Sequence, residues 1–184
     1  MVHENLMSRS RIERTVHRMA HELAEVIKDQ PLLLIGMNQR GLALAGALYD
    51  SFIRFELGKA SCMGLDTMEM SQSATSAGET DQQPSYRIAQ HRGVVVLCDD
   101  VIFSGKTLFN VLKGLPDSSG INAIHIATLI DRGHRAFPVS PSVCGLTLQT
   151  KQGEHITVEV TKGRNLDGLQ IPSLEAVILV LNEE

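Results

Sequence analysis

A chain of 184 residues with 43% apolar side chains is long enough to bury a core without covalent staples. Its three cysteines, Cys62, Cys98 and Cys144, are odd in number, stand in or beside apolar runs and lack C-x-x-C spacing, which excludes a disulfide framework and reads as structural thiols in a reducing cytoplasm. A net charge of −4 argues against nonspecific coating of nucleic acid, no apolar run nears the roughly 20 residues of a membrane span, and no leader pattern opens the chain, so a soluble cytoplasmic protein is expected.

In chain order, Ile12, Val16, Met19, Ala20, Leu23 and Ile27 recur at helical spacing and predict a first helix from about residue 9 to 28, stopped by Pro31. Arg11, Arg14 and Arg18 share one face of it, with Arg9 nearby. His17 and His21 stand four apart as zinc ligands can, but Arg18 replaces the glutamate of H-E-x-x-H and no third ligand is evident, so they read as helix-surface or interface residues. Leu32 to Ile35 is a short strand ended by Gly36; the loop Met37 to Gly41 leads into a helix from Leu42 to Phe55. Ser61 to Asp66 predicts another strand.

The stretch Ser71 to Ser85 has no large apolar side chain to offset its own ordering and reads as the centre of a mobile flap, about residues 67–92, with Met63, Met68 and Met70 as core or flap-hinge fillers. Strands recur around 93–98, 123–130, 143–148, 155–160 and 176–181, the last three without long helices between them. This order predicts an α/β fold in one domain: a central parallel sheet flanked by helices, with a small β-rich hood over the site.

The most informative segment is Val95 to Thr107, VVLCDDVIFSGKT. A buried-strand run ends in two acids, so Asp99 and Asp100 are expected to emerge at the carboxyl end of a central parallel strand, where open α/β sheets bind ligands. Ser104, Gly105, Lys106 and Thr107 then open the next helix, whose free N–H groups and dipole favour a phosphate. Carboxylates beside a phosphate cradle imply hydroxyls or Mg²⁺ as the second thing held. The tail SGKT suggests a nucleotide P-loop, G-x-x-x-x-G-K-[ST], but that motif needs glycine where this chain has Asp100, whose charge would repel the ligand. The P-loop is rejected.

This segment resembles the phosphoribosyl-diphosphate (PRPP) motif of type I phosphoribosyltransferases, and Asp131 to Pro138, DRGHRAFP, is similar to the DRGHRELP segment of the bifunctional pyrimidine operon regulator/uracil phosphoribosyltransferase family. RIERTVHRMAHELAE (Arg11 to Glu25), LLIGMNQRGLALA (Leu33 to Ala45) and GLD (Gly64 to Asp66) match in the same order, so the resemblance spans nearly the whole chain. It implies a dimeric transferase in the cytoplasm that moves ribose 5-phosphate from PRPP to a nucleobase, uracil first, with Mg²⁺ as cofactor. The positions it assigns to PRPP are Asn38, Gln39, Arg40 and Gly41 for pyrophosphate, Asp99 and Asp100 for the ribose diol and Mg²⁺, Ser104, Gly105, Lys106 and Thr107 for the 5′-phosphate, and Val101 and Phe103 as further PRPP contacts. Arg40, Asp99 and Asp100 carry catalysis in that assignment.

The base is assigned to Asp131, Arg132, Val143 and Cys144, with Val143 in place of an aromatic stacking residue. Asn38 and Gln39 replace the first basic residue and the threonine of R/K-T-R-G; Met70 to Ser73 replace Y-R-D-D; LTLQT after Gly145 lacks the pattern G-K-N-x-P-T. These departures imply altered base choice or reduced activity. His134 reads as a contact to base, phosphate or RNA, or as a loop histidine bonded to backbone. For some members the resemblance also implies nucleotide-sensing attenuation through a messenger-RNA leader, for which Arg11, Arg14 and Arg18 are the candidate face.

Overall fold

The computed structural model describes residues 2–65, 84–116, 120–151 and 153–181. In chain order these form β1 (Val2–Ser8), α1 (Arg9–Ile27), β2 (Leu32–Gly36), α2 (Gln39–Arg54), β3 (Ala60–Gly64) and α3 (Pro84–Gln90). There follow β4 (Gly93–Ile102), α4 (Lys106–Gly114), β5 (Ile121–Asp131), β6 (Val143–Thr147), β7 (His155–Leu166) and β8 (Leu169–Leu181). Five strands make a parallel sheet in the order β3-β2-β4-β5-β6, and three make an antiparallel hood in the order β1-β8-β7.

The period of two along the central strands distributes their apolar side chains between two cores. Leu32, Leu34, Val94, Val96 and Cys98 face one side, where α1, α2 and the hood cover them. Leu33, Ile35, Val95 and Leu97 face the other, with Ile88 of α3 and Leu108 and Val111 of α4. Because β2 lies between β3 and β4, the chain reverses its direction of travel across the sheet there, and the loops after β2 and β4 lead to helices on opposite faces. Such a topological switch point leaves a crevice at the carboxyl ends of the strands.

Several elements differ from their expected bounds. The first helix ends at Ile27, before Pro31, because Lys28 adopts a left-handed conformation (φ 50°) and its N–H returns to the Ala24 carbonyl. The strand bearing the two acids runs to Ile102 rather than stopping near 98, so Asp99 and Asp100 lie in its paired carboxyl-terminal part; Asp99 pairs with Thr128 and Ile102 with Asp131. β1 has no counterpart among the expected strands. Its pairing with β8 is interrupted by a bulge between Asn5 and Met7, which breaks the alternation that would betray a strand. The strands expected at 155–160 and 176–181 extend to meet in a hairpin closed by Asp167 and Gly168, both at positive φ.

Most of the predicted flap, residues 66–83 with Met68, Met70 and Ser71 to Ser73, lies outside the described residues. Its described end is α3, anchored by the fully buried Ile88. Among the described residues no helix is long and apolar enough to cross a membrane.

Candidate active site

The loop after β2 is braced against β4. The Met37 N–H donates to the Cys98 carbonyl at 3.2 Å, and a Cβ on Gly41 would collide with that same carbonyl oxygen, so only glycine lets α2 start so close to the strand. Asn38 caps α2, its Oδ1 accepting from the Gly41 N–H at 2.7 Å. Its Nδ2 donates to Oδ1 of Asp99 at 3.2 Å. One amide thus joins the helix start, the loop and the first acid. Gln39 and Arg40 are exposed, and Arg40 is steered by the hood: its Nε donates to the Val158 carbonyl of β7 at 2.8 Å. The rest of the guanidinium remains to meet an anion.

The two acids have different surroundings. Asp99 is 7% exposed, and its Oδ1 also accepts from the Asp100 N–H at 3.1 Å. Burial first, and then the neighbouring Asp100 charge, push its carboxyl up to about 7, against the opposing donation from Asn38. Asp100 is half-buried. Beneath the pair, the fully buried Thr128 hydroxyl donates to the Ile130 carbonyl at 3.0 Å and approaches the Asp100 carbonyl at 3.4 Å.

Beyond the acids, Gly105 (φ 79°) caps α4 without a side-chain bond, which leaves the opening N–H groups of Lys106 to Leu108 to the Ser104 hydroxyl and to a ligand. Lys106 and Thr107 are exposed there. A second loop, Asp131 to Val139, locks this turn from behind. Arg132 N–H donates to the Ile102 carbonyl at 2.9 Å, and Ala136 and Phe137 N–H groups share the Ser104 carbonyl at 3.0 and 3.1 Å. Arg135 pairs with Asp131 at 2.8 Å and donates to the Phe103 carbonyl at 2.8 Å.

The structure therefore brings Asn38, Gly41, Asp99, Asp100 and Ser104 to Thr107 around one crevice. The residues assigned to the base are held otherwise. Arg132 is 9% exposed; its Nε donates to the Thr150 hydroxyl at 2.8 Å and its Nη2 to the Glu154 carbonyl at 2.6 Å, while its guanidinium covers the Phe103 ring at 4.5 Å. Asp131 accepts from the Gly133 N–H as well as from Arg135. Val143 is 3% exposed and packs on the α1–α2 side of the sheet, offering no open stacking face. Cys144 is half-buried beside the Thr147 hydroxyl at 3.8 Å. His134 binds the Thr150 carbonyl at 2.8 Å, as a backbone-bonded loop histidine would.

Sequence reasoning missed Thr128, Arg135 and Thr150. Of these, Arg135 carried a signal: it stands four residues after Asp131, the spacing at which they pair. His17 and His21 both pack against Phe55, with ring centroids 5.0 and 5.2 Å away. Cys62 and Cys98 are buried thiols, Cys62 pushed up to about 11 chiefly by that burial. In the arginine face, Arg11 donates to the Leu6 carbonyl and Arg18 to those of Cys144 and Gly145.

The family described as phosphoribosyl transferase domain matches residues 3–161. The Bifunctional protein PyrR of Thermosynechococcus vestitus is 31% identical over 169 residues, covering 90% of this chain and 92% of that protein. The protein of the same name from Brevibacillus brevis is 31% identical over 172 residues, covering 92% and 96%. A crystal structure of a hypoxanthine phosphoribosyltransferase from Staphylococcus aureus superposes with a TM-score of 0.61 at 16% identity over 82% of this chain and 79% of that one, a likeness of fold.

Proposed function

Because the chain belongs to the phosphoribosyl transferase domain family, and within it to the bifunctional PyrR proteins, we propose that it moves ribose 5-phosphate from PRPP to a nucleobase, uracil before the others, and releases pyrophosphate. The observation that carries this reading is the pair of helix-opening loops, Asn38–Gly41 and Phe103–Thr107, that diverge to opposite faces with Asp99 and Asp100 between them. A diphosphate and a 5′-phosphate on one sugar suit that arrangement of two anion seats around an acidic centre.

In this reading Arg40 and the N–H groups that open α2 hold the pyrophosphate, while Ser104, Thr107 and the N–H groups that open α4 hold the 5′-phosphate. Asp100 accepts from the ribose hydroxyls, and its charge offsets the positive ring that forms as pyrophosphate departs. Asn38 sets the position of Asp99 against that ring. Among the described residues no three His, Cys, Asp or Glu side chains converge, and the carboxylates these residues bring to the crevice are this acid pair. That suits Mg²⁺, which takes one or two carboxylates with substrate oxygens and water. Asp100 would hold it directly, and Asp99, buried and already accepting two hydrogen bonds, through water. When bound, Mg²⁺ supplies charge that stabilises the leaving pyrophosphate.

The uracil preference rests on the DRGHRAFP segment and on the PyrR relatives. We also read residues 1–184 as one unit, since the hood grips Arg40 through Val158, and as a cytoplasmic dimer. Binding of a messenger-RNA leader is a second role, supported by the relatives' bifunctional naming and by the exposed Arg11, Arg14 and Arg18. Incubation with Mg²⁺, PRPP and each of uracil, hypoxanthine, guanine, adenine and orotate, with nucleoside monophosphates followed by chromatography, tests the assignment. Uridine monophosphate is the expected main product, and a purine product overturns the uracil preference.

A further inference from the structure

We propose that the cleft between α1, α2 and the hood is a second ligand site, one that takes a nucleotide. Its cavity of about 520 Å³ falls within the range of small-molecule sites, and it shares no residue with the crevice described above. Arg54, on its wall, lies about 21 Å along α2 from Arg40 at 1.5 Å per residue.

The lining offers partners for each part of a nucleotide. Four cations, Arg9, Arg54, Lys162 and Arg164, stand around the opening of a chain whose net charge is −4. Glu13 and Asp50 stand with them, acceptors of the kind that ribose hydroxyls need. The floor is aliphatic, built from Ile12, Val16, Ala43, Ala47, Ile171 and Leu174, a surface on which a planar heterocycle buries area without an unmet polar group. Phosphate to the cations, sugar to the carboxylates and base to the floor account for all three surfaces. A bare anion would leave the floor unused, and an apolar ligand would leave Lys162 without an opposite charge.

The existing ion pairs do not close the cleft. Arg9 pairs with Glu175 at 3.0 Å, Arg54 with Glu13 at 3.6 Å, and Arg164 with Asp50, so α1, α2 and the hood are tied pairwise. Each pair has at least one well-exposed member and is therefore weak, and a dianionic phosphate competes with the carboxylates for the cations. Among the described residues no carboxylate pairs with Lys162. Two walls of the cleft, α2 and β7, are also the elements that hold Arg40, which α2 carries and whose Nε the β7 carbonyl of Val158 accepts. An occupant that shifts β7 against α2 thus acts on the pyrophosphate seat.

Hydrogen exchange of the full chain with and without uridine monophosphate tests this. Peptides covering residues 9–17, 46–54 and 162–174 should slow, in addition to any slowing over 99–107. Lys162→Glu should raise by tenfold or more the concentration needed to protect the first three regions and leave 99–107 unchanged, which also shows that the variant is folded; Lys162→Ala should give a smaller loss. Uridine and inorganic phosphate, as separate probes, should each protect the cleft poorly. Slowing confined to 99–107, or an undiminished effect in Lys162→Glu, overturns the site while sparing the transferase reading. Equal protection by inorganic phosphate alone overturns the nucleotide assignment, and slowing of neither region overturns both the site and a product complex in the crevice.

Discussion

Replacement of Asp99 by asparagine should stabilise the ligand-free protein, and more so as pH rises. The Asp99 carboxyl is 7% exposed, and burial with the adjacent Asp100 charge moves it from the ordinary value of 3.8 to about 7. The folded state then binds a proton that the unfolded chain has given up, so this group favours folding below pH 3.8 and that contribution is lost as pH rises toward 7. At 1.36 kcal/mol per pH unit, the cost of an ionisable Asp99 grows by about 3 kcal/mol between pH 5 and pH 8. Asparagine keeps an oxygen for the Asn38 amide and the Asp100 N–H and never ionises. At roughly 2 to 4 °C per kcal/mol for a chain of this size, the Tm of Asp99→Asn should overtake that of the parent by about 6 to 12 °C over this interval. Melting curves of both proteins at pH 5, 6, 7 and 8 measure it, and their difference cancels the titration of groups that do not interact with Asp99. A Tm difference that stays constant with pH refutes the reasoning, because it would mean that Asp99 titrates alike in the folded and unfolded chain.

The remaining predictions concern the neighbours of this acid. Asn38→Ala removes both the cap of α2 and the donor to Asp99, and should lower stability by about 1 to 2 kcal/mol in a melt while weakening PRPP binding at least tenfold by calorimetry. Asp100→Asn should weaken Mg²⁺-dependent PRPP binding by tenfold or more with little change in Tm, since the half-buried Asp100 acts on the ligand rather than on the fold. Val143→Tyr should cost about 1 to 3 kcal/mol by overpacking the α1–α2 core and should not raise uracil turnover; a stable variant with faster turnover would show that this position faces the base.

What the sequence made legible follows the reach of each signal. The acids and the SGKT turn are local: a buried run, two charges and a helix start within thirteen residues suffice to place them, and Asp99, Asp100 and Ser104 to Thr107 stand where that order puts them. Arg40 was legible as a cation, but its tether to Val158 depends on a strand 118 residues away. β1 escaped because its conformation comes from pairing with β8 across nearly the whole chain, through a bulge that hides the alternation. The hairpin of β7 and β8 carried its own mark, the Asp167-Gly168 pair between Leu166 and Leu169, which was there to be read. The segment from Asp131 to Arg135 was legible as a motif, yet similarity does not say which polar atoms are spent internally. Arg132 and Asp131 satisfy their partners within the protein, and only coordinates reveal that.

The joining of β1 to β8 has a consequence for how the molecule comes into being. Val2 opposes Leu181 and Ser8 opposes Ala176, so β1, made before the other described strands, has no partner until β8 has emerged. At 5 to 20 residues per second the intervening synthesis takes roughly 8 to 35 seconds, during which Met7, destined for 1% exposure, faces solvent or a chaperone. The carbonyl of Val158 that steers Arg40 belongs to the same late sheet. A nascent chain should therefore acquire its central parallel layer before Arg40 is aimed, and ribosome-stalled chains ending near residue 165 should expose Met7 to oxidation that the folded 184-residue chain resists.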